Sequence, residues 1–200
     1  MTSRIRFADA ADVFETFPGL ERYSAKPSAP IAPLDHARAL MASPRPVTAL
    51  AFLAHLLPRR EAIWWGCQCV SAALGVEAND EGMRLATQWV RDPDEAARRD
   101  ALNYAQASDM RAATAWLARA VGYSGGSLLA PEQPLVKPPP EACALAVNAA
   151  IVFAATAKPP PAILPWMRAC GDAGARFASG EEILIKPPSS SAVSSRQPQP

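Results

Sequence analysis

The 21 prolines of this 200-residue chain constrain its fold more than any other feature, because they fall in clusters at 27–33, 44–46, 131–140, 158–165 and 187–188. Proline lacks a backbone N–H and crowds the preceding turn, so each cluster ends whatever regular element precedes it. The stretches between clusters are rich in Ala, Leu, Arg and Glu, which are good helix formers. Only "EEILIKP" near the end suggests strand-like alternation. The pattern predicts an all-α fold: eight or nine helices, joined by about two to five residues, in a compact array of antiparallel hairpins. Helical hairpins recur as in a HEAT-like solenoid, but no residue pattern repeats at a fixed period, which favours an irregular bundle.

Several helix boundaries are legible. In "RDPDEAARRDALNYAQA" Asp92 is expected to cap, with Pro93 at the first helical position and Glu95 reaching back as a capping-box acid. "SDMRAATAWLARAVG" is expected to start at Asp109 and stop at Gly122, with Met110, Ala113, Leu117 and Val121 forming one apolar stripe. "NDEGMRLATQWV" opens with Asn79, Asp80 and Glu81, all favourable at the positive end of a helix. The expected organisation is an N-terminal helix with a Pro-rich lead-in over 1–32, a helical domain over 33–186, and a disordered Ser/Pro/Gln tail over 187–200.

Half of the residues are apolar and 20% are charged, a balance suited to a globular core. The 20 basic and 19 acidic side chains leave a net charge of +1, with no cationic excess that would draw nucleic acid or an anionic membrane. Asp9, Asp12 and Glu15 interrupt the start where an export signal needs an apolar run, and the Arg pairs 59–60 and 98–99 lie too deep to serve one. The expectation is a cytoplasmic protein whose four cysteines stay thiols.

Two tryptophans and two cysteines crowd into "EAIWWGCQCV", residues 61–70. On a helix Ile63, Cys67, Val70 and Leu74 share one face, and Trp65, Cys69, Ala72, Ala73 and Val76 another, with Trp64 filling much of the space between. A helix apolar nearly all round is one enclosed by others. Trp64, Trp65, Cys67 and Cys69, with Trp89 and Leu117, are therefore expected in the core, and truncating either Trp64 or Trp65 is expected to cost ~3–5 kcal/mol. A metal site fares poorly, since Cys67 and Cys69 point roughly 200° apart on a helix and no second Cys pair stands at zinc spacing. A reactive thiol would need a neighbouring base; His55, twelve residues before Cys67, is the conceivable partner.

Residues 122–140, "GYSGGSLLAPEQPLVKPPP", form the longest connection inside the core. Long ordered connections often carry function, and Tyr123, Ser124, Gly125, Gly126 and Ser127 are candidate protein-binding residues. Gly125 and Gly126 permit an anion-cradling turn, but neither a preceding strand nor a following Lys-Ser/Thr makes it a P-loop. "CALAVNAAIVFAAT" holds an apolar run of about 15 residues, broken by Asn148, where a span needs ~20; a close-packed core helix is expected instead. No catalytic motif is present, and Asp35 and His36, adjacent on a helix, point apart. No catalytic residue, metal or cofactor is assigned.

Through "LPRREAIWWGCQCV" and "AVGYSGGSLLAPEQPLVKPPPEACALAVNAAIVFAA" the chain resembles, over about residues 34–180, an uncharacterised family of roughly 200-residue proteobacterial proteins found near type VI secretion genes. The resemblance implies accessory work for a secretion apparatus, as an adaptor or chaperone that binds a component or cargo. The functional expectation is thus a non-enzymatic, cytoplasmic protein-binding adaptor of undefined oligomeric state. The alternative is a small-molecule-binding protein or thiol-dependent enzyme with a pocket between helices, for which His55 beside a thiol would be the cue.

Overall fold

A computed structural model describes residues 3–75, 80–183 and 185. Among them are nine α-helices and no strand: α1 (Ala10–Thr16), α2 (Pro33–Ala42), α3 (Val47–Leu56), α4 (Arg59–Leu74), α5 (Glu81–Arg91), α6 (Glu95–Ala107), α7 (Ala113–Gly122), α8 (Ala142–Ala155) and α9 (Pro160–Ala178). A short 3-10 turn at Pro18–Arg22 follows α1. The expected tail over 187–200 and the positions Asn79 and Val76 lie outside the described residues.

The all-α multi-helix array anticipated from the proline spacing is the architecture found. Helix α8 packs against α7, α4 and α3; α7 in turn packs on α5 and α6; and α9 closes over α2 and α3 while reaching α4. Close approach is possible because the buried positions of α8 include Ala144, Ala146, Ala150, Ala154 and Ala155, small side chains that let neighbouring backbones come near. No helix among the described residues is long and apolar enough to cross a membrane.

Two helix starts differ from expectation. The cap of α6 is Asp94, whose carboxylate accepts from Ala97 N at 2.8 Å. Asp92 instead ends α5, in an extended conformation (φ −135°, ψ 87°), because the following Pro93 disfavours a helical residue before it. Glu95, freed from the cap, pairs with Arg98 and Arg99. Helix α7 starts at Ala113 rather than Asp109: Asp109 accepts from the backbone N of Arg111 and binds its guanidinium, which folds 109–112 into a separate turn. Asp80 does cap α5, accepting from Met83 N at 3.0 Å.

The N-terminal segment is built into the same core. Asp9 forms a capping box with Asp12 on α1, and Val13, Phe14 and Leu20 are buried. Arg4 donates to Phe177 O (2.6 Å) and Glu181 O (3.1 Å) and lies 4.1 Å above the Phe177 ring, tying the lead-in to the end of α9.

The core is anchored by Trp65, which is 0% exposed. Its indole Nε1 donates to Cys170 O of α9 at 3.0 Å, and Gly174, one turn further on, leaves room for the ring: a Cβ there would stand 2.8 Å from Trp65 Cε2. Trp64 departs from its expected place. It is only half-buried, facing a cavity of about 780 Å³ shared with Arg4, Arg60, Val90, Phe177 and Ile183, because a helix places adjacent residues about 100° apart and α9 covers one of the two indoles.

The two tryptophans should therefore respond differently to truncation. Trp65→Ala is expected to cost ~3–5 kcal/mol through cavity formation and loss of the indole hydrogen bond, and Trp64→Ala only ~1–2 kcal/mol, since less of its area is withdrawn from water. Urea unfolding curves of both variants measure the difference; equal losses would contradict the placement.

Candidate functional site

The remaining sulfur and imidazole groups are enclosed. All four cysteines are free and buried. Cys67 is 1% and Cys69 0% exposed, on opposite faces of α4. Burial pushes the Cys67 thiol up to about 12. It raises Cys69 well above the usual thiol range too, helped by a hydrogen bond with the Cys170 thiol of α9. Trp89 is 9% and Leu117 0% exposed, both within the core cluster. Among the described residues no three His, Cys, Asp or Glu side chains converge as a metal site.

His55 sits in the last turn of α3, 1% exposed. The thiol that shares a cavity with it is Cys143 of α8, not Cys67. Burial pushes Cys143 up to about 12, against a small opposing effect of the Arg59 charge, so at neutral pH it is a thiol and a poor nucleophile. His36, beside Phe14 and Phe52, shares a hydrogen bond with Ala25 O at 3.0 Å, while Asp35 turns to Arg38 at 2.7 Å; the adjacent acid and imidazole point apart.

The connection from α7 to α8 is held down by arginines. Arg98 of α6 is 3% exposed and reaches Gly122 O (2.6 Å) and Ser127 O (3.0 Å) while pairing with Glu95 at 2.7 Å. A guanidinium can be buried when its planar fork finds this many acceptors. Arg98 also holds the Glu95 carboxyl below the usual range. Gly126 adopts φ +61° and lies against the guanidinium, where a Cβ would stand 2.7 Å from Nη2. Arg59 of α4 donates to Ser124 O (2.7 Å) and Arg99 of α6 to Leu129 O (2.8 Å).

Within the connection, Ser127 is buried and its hydroxyl oxygen accepts from Leu129 N (3.1 Å) and Val136 N (3.2 Å). Leu128 N donates to Val136 O at 2.8 Å, so 127–129 runs alongside 135–136. Prolines at 131, 134 and 138–140 stiffen the rest. The outcome is an ordered loop that leaves Leu129 37%, Leu135 66% and Val136 43% exposed.

The residues singled out from sequence thus occupy the base of the loop. Tyr123 packs against the core, Ser124 and Ser127 are hydrogen-bonded into the clamp, and Gly125 and Gly126 make the turn beneath Arg98. The apolar side chains offered to solvent lie a few residues further on. The signal that would have found them is the pair of short apolar runs, "SLLA" and "LV", inside an otherwise Pro-rich polar stretch.

The fold and this loop define a small helical protein with an enclosed core and a braced, apolar surface loop. It belongs to a family of unknown function, DUF6931, whose model matches residues 36–178, from α2 to the end of α9 and including the whole loop. No curated protein and no solved structure matches the chain.

Two measurements check this geometry. Arg98→Met should leave the Gly122 and Ser127 carbonyls unpartnered, lowering stability by ~2–4 kcal/mol and speeding amide hydrogen exchange at Leu128 and Val136; unchanged exchange there would contradict the clamp. Burial lowers the pKa of both His36 and His55 below the ordinary 6.5, so below pH 6.5 the unfolded chain takes up protons that the folded one resists. The urea midpoint is expected to fall between pH 7 and pH 5, before the depressed carboxylates Glu81, Glu95 and Asp109 begin to titrate. A midpoint that is flat or rises on acidification would contradict buried neutral imidazoles.

Proposed function

We propose that this protein is a non-enzymatic adaptor that binds a protein partner through the tip of the 123–141 loop. The observation that supports it is the combination at that tip: Leu135 at 66% and Val136 at 43% exposure, on a backbone held by Arg59, Arg98 and Arg99. A mobile loop would lose conformational entropy on binding, and rigid presentation removes that cost. Exposed Leu and Val side chains on a fixed backbone suit an apolar hot spot surrounded by polar contacts. The high thiol pKa values of Cys67 and Cys143 weigh against a thiol-dependent enzyme.

On the resemblance noted from sequence, the partner is a component or cargo of a type VI secretion apparatus and the protein works in the cytoplasm as an accessory or chaperone-like factor. Placing a photo-activated crosslinker at Leu135 in the native host tests the reading. The expected result is one dominant crosslinked protein whose yield falls at least ~tenfold in a Val136→Asp background, while the melting temperature stays within about 2 °C. Equal yield in that background would overturn the loop as the docking site.

A further inference from the structure

Taking the loop as the docking surface, on which the inference rests, we infer that the partner binds it by backbone pairing. A segment of the partner protein in extended conformation adds to the open edge at residues 135–137 and brings an acidic side chain to Lys137. Residues 134–139 are neither helix nor turn, and Lys137 is held in the extended region by the ring of Pro138 that follows it. Val136 turns both of its backbone groups inward, its N–H donating to Ser127 Oγ at 3.2 Å and its carbonyl accepting from Leu128 N at 2.8 Å. Consecutive residues of an extended chain point these groups to opposite sides, so the N–H and C=O of Leu135 and of Lys137 face away from the loop. Neither residue makes a hydrogen bond among the described residues, and both are exposed.

An edge of this kind selects another extended chain, because a helix consumes its own N–H and C=O groups internally and offers none along its length. The edge is also held in place: Arg98 and Arg99 fix the carbonyls of Ser127 and Leu129 on the segment it runs beside, so little ordering is left to be done on binding.

Side chains set the specificity. Leu135 and Lys137 stand on one face of the extended segment and Val136 on the other. The charged groups nearby in the loop and on α6 are Glu132, Lys137 and Arg99, and Arg99 is already paired with Glu95. Lys137 has no ion pair among the described residues. An acid opposite Lys137 and an apolar residue opposite Leu135 complement this face. A second copy of the chain offers Lys137 only Leu135 or another lysine. The short run, its lysine and the flanking Pro134 and Pro138 are what blunts an edge against self-pairing, which favours a different protein as the occupant.

The experiment places the photo-activated crosslinker at Leu135 of the full-length protein in the native host and compares two backgrounds. Lys137→Ala removes the charge and keeps the N–H; Lys137→Pro removes both. Since the Lys137 N–H has no internal partner, the proline variant should melt within about 2 °C of the parent. The captured yield is expected to fall by ~threefold in Lys137→Ala and by at least a further ~tenfold in Lys137→Pro. In the isolated complex the Leu135 and Lys137 amides should exchange at least ~tenfold more slowly than in the free protein, a readout that needs no variant and decides the matter if the proline variant is destabilised. Equal yields in the two backgrounds with unprotected amides, while Val136→Asp still abolishes capture, would overturn backbone pairing and leave the loop as the docking surface. No captured protein, or capture indifferent to Val136→Asp, would overturn both. A crosslinked dimer of this chain would overturn the assignment to a different protein.

Discussion

The seat of Trp65 on α9 is the interaction on which the rest of the structure depends. A fully buried indole needs two things that seldom coincide: an acceptor for Nε1 and a gap wide enough for the ring. Helix α9 supplies both within one turn, the Cys170 carbonyl at 3.0 Å and the missing side chain of Gly174. With α4 pinned there, its other faces meet α5, α7 and α8, and the sulfur atoms of Cys67 and Cys69 become part of the packing. Burial that raises a thiol toward 12 also removes its thiolate, so the residue types that look most reactive in the sequence are the most inert in the fold.

The prolines decide how the connections around this core are built. Pro58 and the 138–140 run end their connections immediately before α4 and α8, leaving helix heads without the Ser, Thr, Asp or Asn that would otherwise satisfy them. Those two heads converge beside His55. The same Pro-rich stretch cannot pair as regular structure, so its carbonyls are satisfied by arginine side chains from α4 and α6. Arg59 serves both places, donating to Ser124 O on the loop while lining the cavity.

Much of the fold was legible from residue pattern alone. Proline positions marked the joints, and an α4 apolar on nearly every side could only be a central helix. Boundaries were less legible where two acids competed for one cap. Asp92 and Asp94 are equivalent by composition, and the choice between them follows from the backbone restriction that Pro93 places on its predecessor. The asymmetry between Trp64 and Trp65 was not legible, because adjacent indoles on one helix differ only in which neighbour covers them, and that depends on the glycine at 174, 109 residues away. The loop was legible as a location but its exposed side chains were not, since the burial of Arg98, which inverts the usual preference of arginine for the surface, determines which loop residues face inward. His55 read as a helix-end residue; its unpartnered nitrogen is a property of three dimensions.

The most direct test of the central claim is the exchange rate of the Trp65 indole proton, followed by NMR after transfer into deuterated water. With the ring sealed between α4 and α9, Nε1–H should exchange only through global unfolding, in the slowest class of the molecule and with the denaturant dependence of the whole fold. Exchange of that proton within minutes, at a rate insensitive to low denaturant, would contradict the account.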